Sequence, residues 1–245
     1  MDQVLEHFAE GERSELELEC RLKHKDGNYR WVHARFMSVG KSHETRRILV
    51  THLDVTERNL RTEELRHSAH HDALTSLPNR AMIYSYIQEL LAKTARTGGE
   101  FGLLFVDLDR FKPINDRYGH AMGDLVLKTV SERLAASVRA DDFVGRLAGD
   151  EFIIVLPDLS SREAAASVAQ HTLNIMGQPF QIDGYELHVS PSIGISVYPC
   201  DGETVDALLH SADAAMYDAK QRGRNRYSFS EFTQHSSMNS VLNGK

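Results

Sequence analysis

Little in this chain is available for cross-linking or for crossing a membrane. Only two cysteines occur in 245 residues, Cys20 and Cys200, too far apart in sequence to suggest a disulfide framework. No apolar run approaches the ~20 residues a membrane-spanning helix needs, and the acidic, mixed N-terminus does not read as a signal peptide. These absences point to a soluble cytoplasmic module without a membrane segment. Basic charge is also short: the formal net charge is -7 and the pI about 6.0. A nucleic-acid polymer is a poor partner for such a surface, because phosphate backbones require basic patches. A small nucleotide that arrives with its own magnesium is not excluded. Apolar content of 41% and charged content of 26% are ordinary for a globular protein, and the length suits one large or two small domains.

The most informative stretch is Arg146-Leu147-Ala148-Gly149-Asp150-Glu151-Phe152, followed by the apolar run Ile153 to Leu156. A Gly-containing turn between two strand-like runs predicts a β-hairpin with two carboxylates at its tip. Taken alone, the string also fits an ordinary hairpin with a solvated acidic tip.

Residues 1–56 read as three strands after a short helix, with Asp26-Gly27 as a hairpin turn. Residues 57–71 have the composition of an exposed linker helix, with Glu57 and Arg61 as an i,i+4 pair. Its Leu60, Leu65 and Ala69 make a poor seam for dimerisation. From residue 72 the pattern changes. A helix is expected to open at Asp72–Arg80, with Pro78 in its first turn, and to stop at Gly98-Gly99. Phe101 to Val106 predicts a buried strand with Asp107 and Asp109 at its exit. A turn through Pro113 then leads to a helix bearing Val126, Val130, Leu134 and Val138 on one face. After the hairpin, Ser160 and Glu163 suggest a capping box, Asp183-Gly184 a second hairpin, Ile193–Val197 a strand, and residues 204–222 a last helix. Tyr227–Phe229 is a candidate edge strand, and the tail from residue 230 is polar. The order over residues 101–197 is β-α-β-β-α-β. The fold class is therefore α/β (α+β): a ferredoxin-like, palm-type core with a central mixed sheet flanked by helices.

Carboxylates on the ends of neighbouring strands suit hard divalent cations, which take oxygen ligands and share them with substrate phosphates. Two such ions can activate a hydroxyl and stabilise a leaving pyrophosphate. Asp107, Lys112, Asn115, His120 and Asp124 follow one another closely after the buried strand. Asn and Asp side chains match the hydrogen-bonding edge of a guanine, and a Lys suits a phosphate as a point charge.

Two resemblances follow from these strings. "RLKHKDGNYRWVHARF…ILVTHLDVTERN" resembles the C-terminal half of a PAS sensory domain. "DALTSLPNR", "LLFVDLDRFKPINDRYGHAMGD", "RLAGDEF", "SIGIS" and "ADAAMYDAKQRGRNRY" together resemble the GGDEF family of diguanylate cyclases over about residues 68–229. The implied organisation is a partial PAS domain over 1–56, a signalling helix over 57–71, a GGDEF domain over 72–229 and a tail over 230–245. The GGDEF resemblance implies that Asp107, the Leu108 carbonyl and Asp150 ligate magnesium, two ions per half-site, with manganese as a substitute. Glu151 would be the base, or metal-linked carboxylate, that activates a 3′-hydroxyl. Asn115 and Asp124 would read guanine with His120 close by, and Lys112, Lys220 and Arg224 would hold the triphosphate. Two GTP, one on each subunit of a homodimer, would yield cyclic di-GMP. Arg139 and Asp142 match the family's RxxD product-inhibition site.

Two residues depart from the pattern, Ser76 and Ala148, each where the family has Gly. If position 148 needs a positive φ, Ala distorts the tip; if Gly149-Asp150 form the loop, only a methyl must be accommodated. The rival expectation is a GGDEF module that binds GTP or cyclic di-GMP without turnover and regulates a fused or separate phosphodiesterase. A different palm-type nucleotidyl transferase is a third.

Overall fold

Phe101 to Leu108 is buried at every position, so its strand must be covered on both faces. The computed structural model, which describes residues 15–39 and 47–230, places it at the centre of the larger sheet. The elements in chain order are β1 (Glu15–Lys23), β2 (Tyr29–Val39), β3 (Arg47–Asp54), α1 (Thr56–His70), α2 (Arg80–Thr97), β4 (Phe101–Leu108), α3 (Phe111–Tyr118) and α4 (His120–Ala136). They continue with β5 (Phe143–Ala148), β6 (Glu151–Leu156), α5 (Arg162–Met176), β7 (Phe180–Ile182), β8 (Tyr185–Leu187), β9 (Pro191–Tyr198), α6 (Val205–Gln221) and β10 (Arg226–Phe229). The described residues divide into two compact units between His67 and Ser68, inside α1. The helix expected ahead of β1, and the tail from residue 231, lie outside the described residues.

In the first unit, β1, β2 and β3 form an antiparallel sheet in that order, joined at the Asp26-Gly27 turn as expected. In the second, the sheet order is β10-β9-β4-β6-β5. β4 is antiparallel to both neighbours, β5 is antiparallel to β6, and β10 is parallel to β9. This is the expected ferredoxin-like arrangement with one added edge strand, and β7 and β8 form a small separate hairpin.

Side chains alternate between the two faces of the sheet. Leu104, Val106, Phe152 and Ile154 pack with Val126, Val130 and Leu134 of α4 and Leu173 of α5. Leu103, Phe105, Ile153 and Val155 pack with Ile83 and Ile87 of α2 and Leu208 and Leu209 of α6. Continuing the alternation, Asp107 and Glu151 belong to the face covered by α2 and α6.

Three local expectations are corrected. Pro78 precedes α2 instead of entering it. Residues 71–79 form a looped strap in which the Pro78 carbonyl accepts from Arg146 N (2.8 Å), and Asn79 is the helix cap. Pro113 lies in the first turn of α3, not in a loop; a helix leaves its first N–H groups unpaired, so proline is accommodated there. The cap of α5 is Ser161, whose Oγ accepts from Ala164 N (3.3 Å), one residue beyond the serine expected.

Asn79 bonds in two directions. Its Oδ1 accepts from Met82 N (3.1 Å), and its Nδ2 donates to the Ala69 carbonyl (3.0 Å). Replacing Asn79 with Ala is expected to cost about 1–2 kcal/mol in urea denaturation, while Asn79→Asp keeps the cap and recovers only part of that loss.

Candidate active site

The hairpin between β5 and β6 closes with Ala148 paired to Glu151, so its two loop residues are Gly149 and Asp150. Gly149 alone of the tip residues takes the positive φ, +51°, that suits glycine. Ala148 is therefore a strand residue, and its exposed methyl group faces a cleft of about 610 Å³ that is also lined by Asp72, Arg80, Tyr84 and Leu147. The substitution leaves the turn intact.

Asp107 and Glu151 are direct partners across the β4–β6 ladder. The Leu108 N–H donates to the Asp150 carbonyl (3.2 Å), tying the hairpin tip to the exit of β4. The structure thus gathers Asp107, Leu108, Asp150 and Glu151 at one end of the sheet. Lys220, expected on a triphosphate, places its Nζ 2.7 Å from Asp107 Oδ1. Burial raises the Asp107 pKa above the ordinary value in spite of Lys220, and the charges of Asp150 and Asp109 add to the rise. Burial also raises that of Glu151, followed by the charges of Asp107, Asp150 and Asp213. A crowded, half-desolvated set of carboxylates with one ammonium has capacity for further positive charge. Among the described residues, no three Cys, His, Asp or Glu side chains form a ready-made metal cage. Magnesium held by one or two carboxylates and completed by phosphate and water does not require one, so the donor set fits that ion.

Asn115, half-buried on α3, points its Oδ1 at Gly123 of α4. A Cβ built at Gly123 would lie 1.8 Å from that oxygen, so the glycine creates the space the amide occupies. Asp124 follows Gly123, His120 opens α4 and Lys112 lies in the first turn of α3; all three are exposed. No hydrogen bond or ion pair among the described residues links them to the acids. Arg224 lies not at Asp107 but near Asp109, with Nε 3.9 Å from Oδ1. Arg139 and Asp142 form a local turn, Arg139 N donating to Asp142 Oδ2 (2.8 Å), on the wall of a separate cleft of about 330 Å³ shared with Ser167 and His171.

Two groups were not singled out from the sequence. Arg146, with only 10% of its side chain exposed, pairs with Asp72 (Nη1 to Oδ1, 2.7 Å) and donates to the Gly149 carbonyl from Nε and Nη2 (3.0 and 2.7 Å). Asp72 also accepts from Thr75 N and Oγ1 (2.9 and 2.7 Å). Opposite charges in two motif strings 74 residues apart were the available signal. Asp109 is the second: named in the sequence only as a strand-exit carboxylate, it is buried beneath the turn that follows α6.

Burial acts to raise the pKa of Asp72, but hydrogen bonds from Thr75 and Arg146 outweigh it and hold the carboxyl below the ordinary 3.8. A depressed folded-state value stabilises the fold above the unfolded value, and the benefit is lost as pH falls through the folded one. Wild type is therefore expected to be more stable than Asp72→Asn at neutral pH, with the gap closing below about pH 4, as read by urea denaturation at stepped pH.

Comparison with known proteins agrees with this geometry. The family model described as "Diguanylate cyclase, GGDEF domain" matches residues 69–226. The bifunctional diguanylate cyclase/cyclic di-GMP phosphodiesterase MucR of Pseudomonas aeruginosa is 46% identical over 176 residues, 72% of this chain and 25% of MucR. Diguanylate cyclase TpbB of the same organism is 44% identical over 161 residues, 65% of this chain and 37% of TpbB. A solved structure of TpbB comprising only its GGDEF domain matches with a TM-score of 0.65 and 42% identity, over 66% of this chain and 95% of that one. The chain spans about a quarter to a little over a third of the length of these curated relatives. It belongs to the GGDEF family of diguanylate cyclase domains.

Proposed function

We propose that this chain is a diguanylate cyclase that joins two GTP into cyclic di-GMP with release of two pyrophosphates. The observation that carries the reading is the convergence of Asp107, Asp150 and Glu151 from two antiparallel strands, with Leu108 bonded to the hairpin tip. Asp107, Asp150 and the Leu108 carbonyl would hold magnesium or manganese. When bound, the metal supplies Lewis-acid polarisation of the reacting phosphate and hydroxyl. Glu151, whose proton affinity is raised, accepts the proton of the ribose 3′-hydroxyl as its oxygen bonds to the α-phosphorus of the other GTP. Pyrophosphate leaves on the opposite side.

Asn115 and Asp124 present acceptor and donor groups to the guanine edge with His120 close by, and Lys112, Lys220 and Arg224 face the phosphates. Each chain carries one such set of acids, whereas the product contains two equivalent linkages, so a homodimer provides both half-sites. Arg139 grips a product phosphate or guanine in the cleft beside Asp142, which gives feedback inhibition. The strands of residues 15–54, read as half of a PAS domain, pass their input through α1.

The alternative is a module that binds GTP or cyclic di-GMP without turnover. The methyl of Ala148 beside the tip favours it. Incubation with GTP and magnesium over a range of protein concentrations separates the two. Cyclic di-GMP whose specific rate rises with concentration, and which is lost in Asp150→Asn, supports the cyclase; nucleotide bound but unchanged at every concentration supports the module.

Two variants refine the reading. Glu151→Gln is expected to lower the rate at least about a hundredfold while melting above wild type, because it relieves carboxylate crowding. Gly123→Ala displaces the Asn115 amide and is expected to weaken GTP binding about tenfold, with little change in the rate at saturating GTP.

A further inference from the structure

Asn115 and Asp124, the pair read above as facing the guanine edge, stand on two helices that share a single boundary residue. Gly119 ends α3 and opens α4 with φ +85°, and neither helix begins with a side-chain cap. A helix of eight residues gains little stability by itself, so the attitude of α3 depends on what it packs against. Phe111, Ile114 and Tyr118 turn one face of α3 to the core, and Asn115 lies on that face among them. The ring of Tyr118 meets that of Tyr185, with centroids 5.4 Å apart and planes tilted by 60°.

Tyr185 belongs to the β7–β8 hairpin. Asp183 and Gly184 both have positive φ, +47° and +79°, as a two-residue hairpin turn requires. Strands of three residues do not make a hairpin that is stable in isolation. This one is fastened at its base. Phe180, Ile182 and Leu187 are buried in the core, and Cζ of Arg133 on α4 lies 3.7 Å from the Phe180 ring centroid. Nη1 of Arg133 donates to the Gln178 carbonyl and Nη2 to the Pro179 carbonyl, both at 2.6 Å. Tyr185 pairs with Ile182 across the hairpin and stands two residues from Leu187, so it continues the same apolar face toward the turn. Unlike those neighbours it is 52% exposed, overhanging the core to reach α3. The hairpin therefore touches both helices of the pair, α4 at its base through Arg133 and α3 near its turn through Tyr185.

We propose that the β7–β8 hairpin is a brace that fixes the angle between α3 and α4 about Gly119, and that Tyr185 is a positioning residue for recognition of the purine base. The inference rests on the reading of Asn115 and Asp124 as guanine contacts. Two hydrogen-bonding groups on separate supports discriminate between bases only while their spacing is held, because a misaligned donor or acceptor leaves a polar edge unpaired. Tyr185 acts through Tyr118, three residues from Asn115 on the same helix face. The acids stand on β4, β6 and the tip of the β5–β6 hairpin, outside this brace, so base selection and turnover separate.

Calorimetric titration of GTP and ATP, each with magnesium, into the full chain tests this, alongside hydrogen exchange at the α3 amides. In Tyr185→Ala, GTP binding is expected to weaken about fivefold while that of ATP, whose base is not matched, is unchanged. The α3 amides should exchange faster in that variant and those of α2 should not, which separates loss of the brace from loss of the fold. Tyr185→Phe keeps the ring and is expected to match wild type in both measurements. Added to Asn115→Ala, Tyr185→Ala should cost less than it does alone, because the two act on one contact. The inference is overturned if Tyr185→Ala binds GTP as wild type does, if GTP and ATP binding fall together, or if Tyr185→Phe loses as much as the alanine variant. A preference for GTP that depends on Tyr185, in a protein that forms no cyclic di-GMP, would leave the brace standing and remove the cyclase reading. Cyclic di-GMP formed with an unchanged KM for GTP in Tyr185→Ala would do the reverse.

Discussion

The pairing of Asp107 with Glu151 across an antiparallel ladder is the constraint on which the site depends. Two carboxylates held on one sheet face by the alternation of β4 and β6 cannot move apart without slipping the register of the central strands. A one-residue slip would turn Asp107 and Glu151 toward α4 and α5 and bring Val106 and Phe152 out of that core. The hydrophobic packing on both faces therefore enforces an electrostatic arrangement that is unfavourable by itself. Burial and mutual repulsion raise the proton affinity of both acids, and Lys220 offsets only part of the cost. A site of this kind has capacity for cations because folding leaves its negative charge incompletely compensated.

Two ion-paired hubs hold the surroundings in place without belonging to the acids themselves. Arg146 joins the strap before α2 to the hairpin tip through Asp72 and the Gly149 carbonyl. Asp109 does the same for the turn after α6. Each is buried and multiply bonded, the condition under which a charged group imposes geometry instead of dissolving into solvent. The two-residue tip closes with Ala148 on the strand side because the positive φ falls on Gly149, and the ladder shifts register between Arg146 and Ala148.

Legibility in the sequence followed the range of the interactions. The buried strand at Phe101–Val106, the hairpin and the β-α-β-β-α-β order are written in local periodicity, and the structure agrees with them. Boundaries decided by a single cap were missed where two candidates stood side by side, as with Ser160 and Ser161, or where proline is compatible with both a turn and a first helical turn, as with Pro113. Of the site, the acids were identifiable because a strand exit and a hairpin tip are local features. The roles of Arg146, Asp72 and Asp109 were not, since each consists in contacts with residues distant in sequence.

By itself, the sequence determined which side chains the chain carries: a set of acids, the Asn115 amide with the Asp124 carboxylate and a few cations, in an order that belongs to one family. Only the tertiary structure decided where the charges act. It put Lys220 on Asp107 and Arg224 beside Asp109, set Gly123 against Asn115, and brought Arg110 into the same cleft as Arg224. The reason is that side-chain type and spacing are properties of the chain, whereas the partner a charge meets depends on how sheet register and helix packing bring distant segments together.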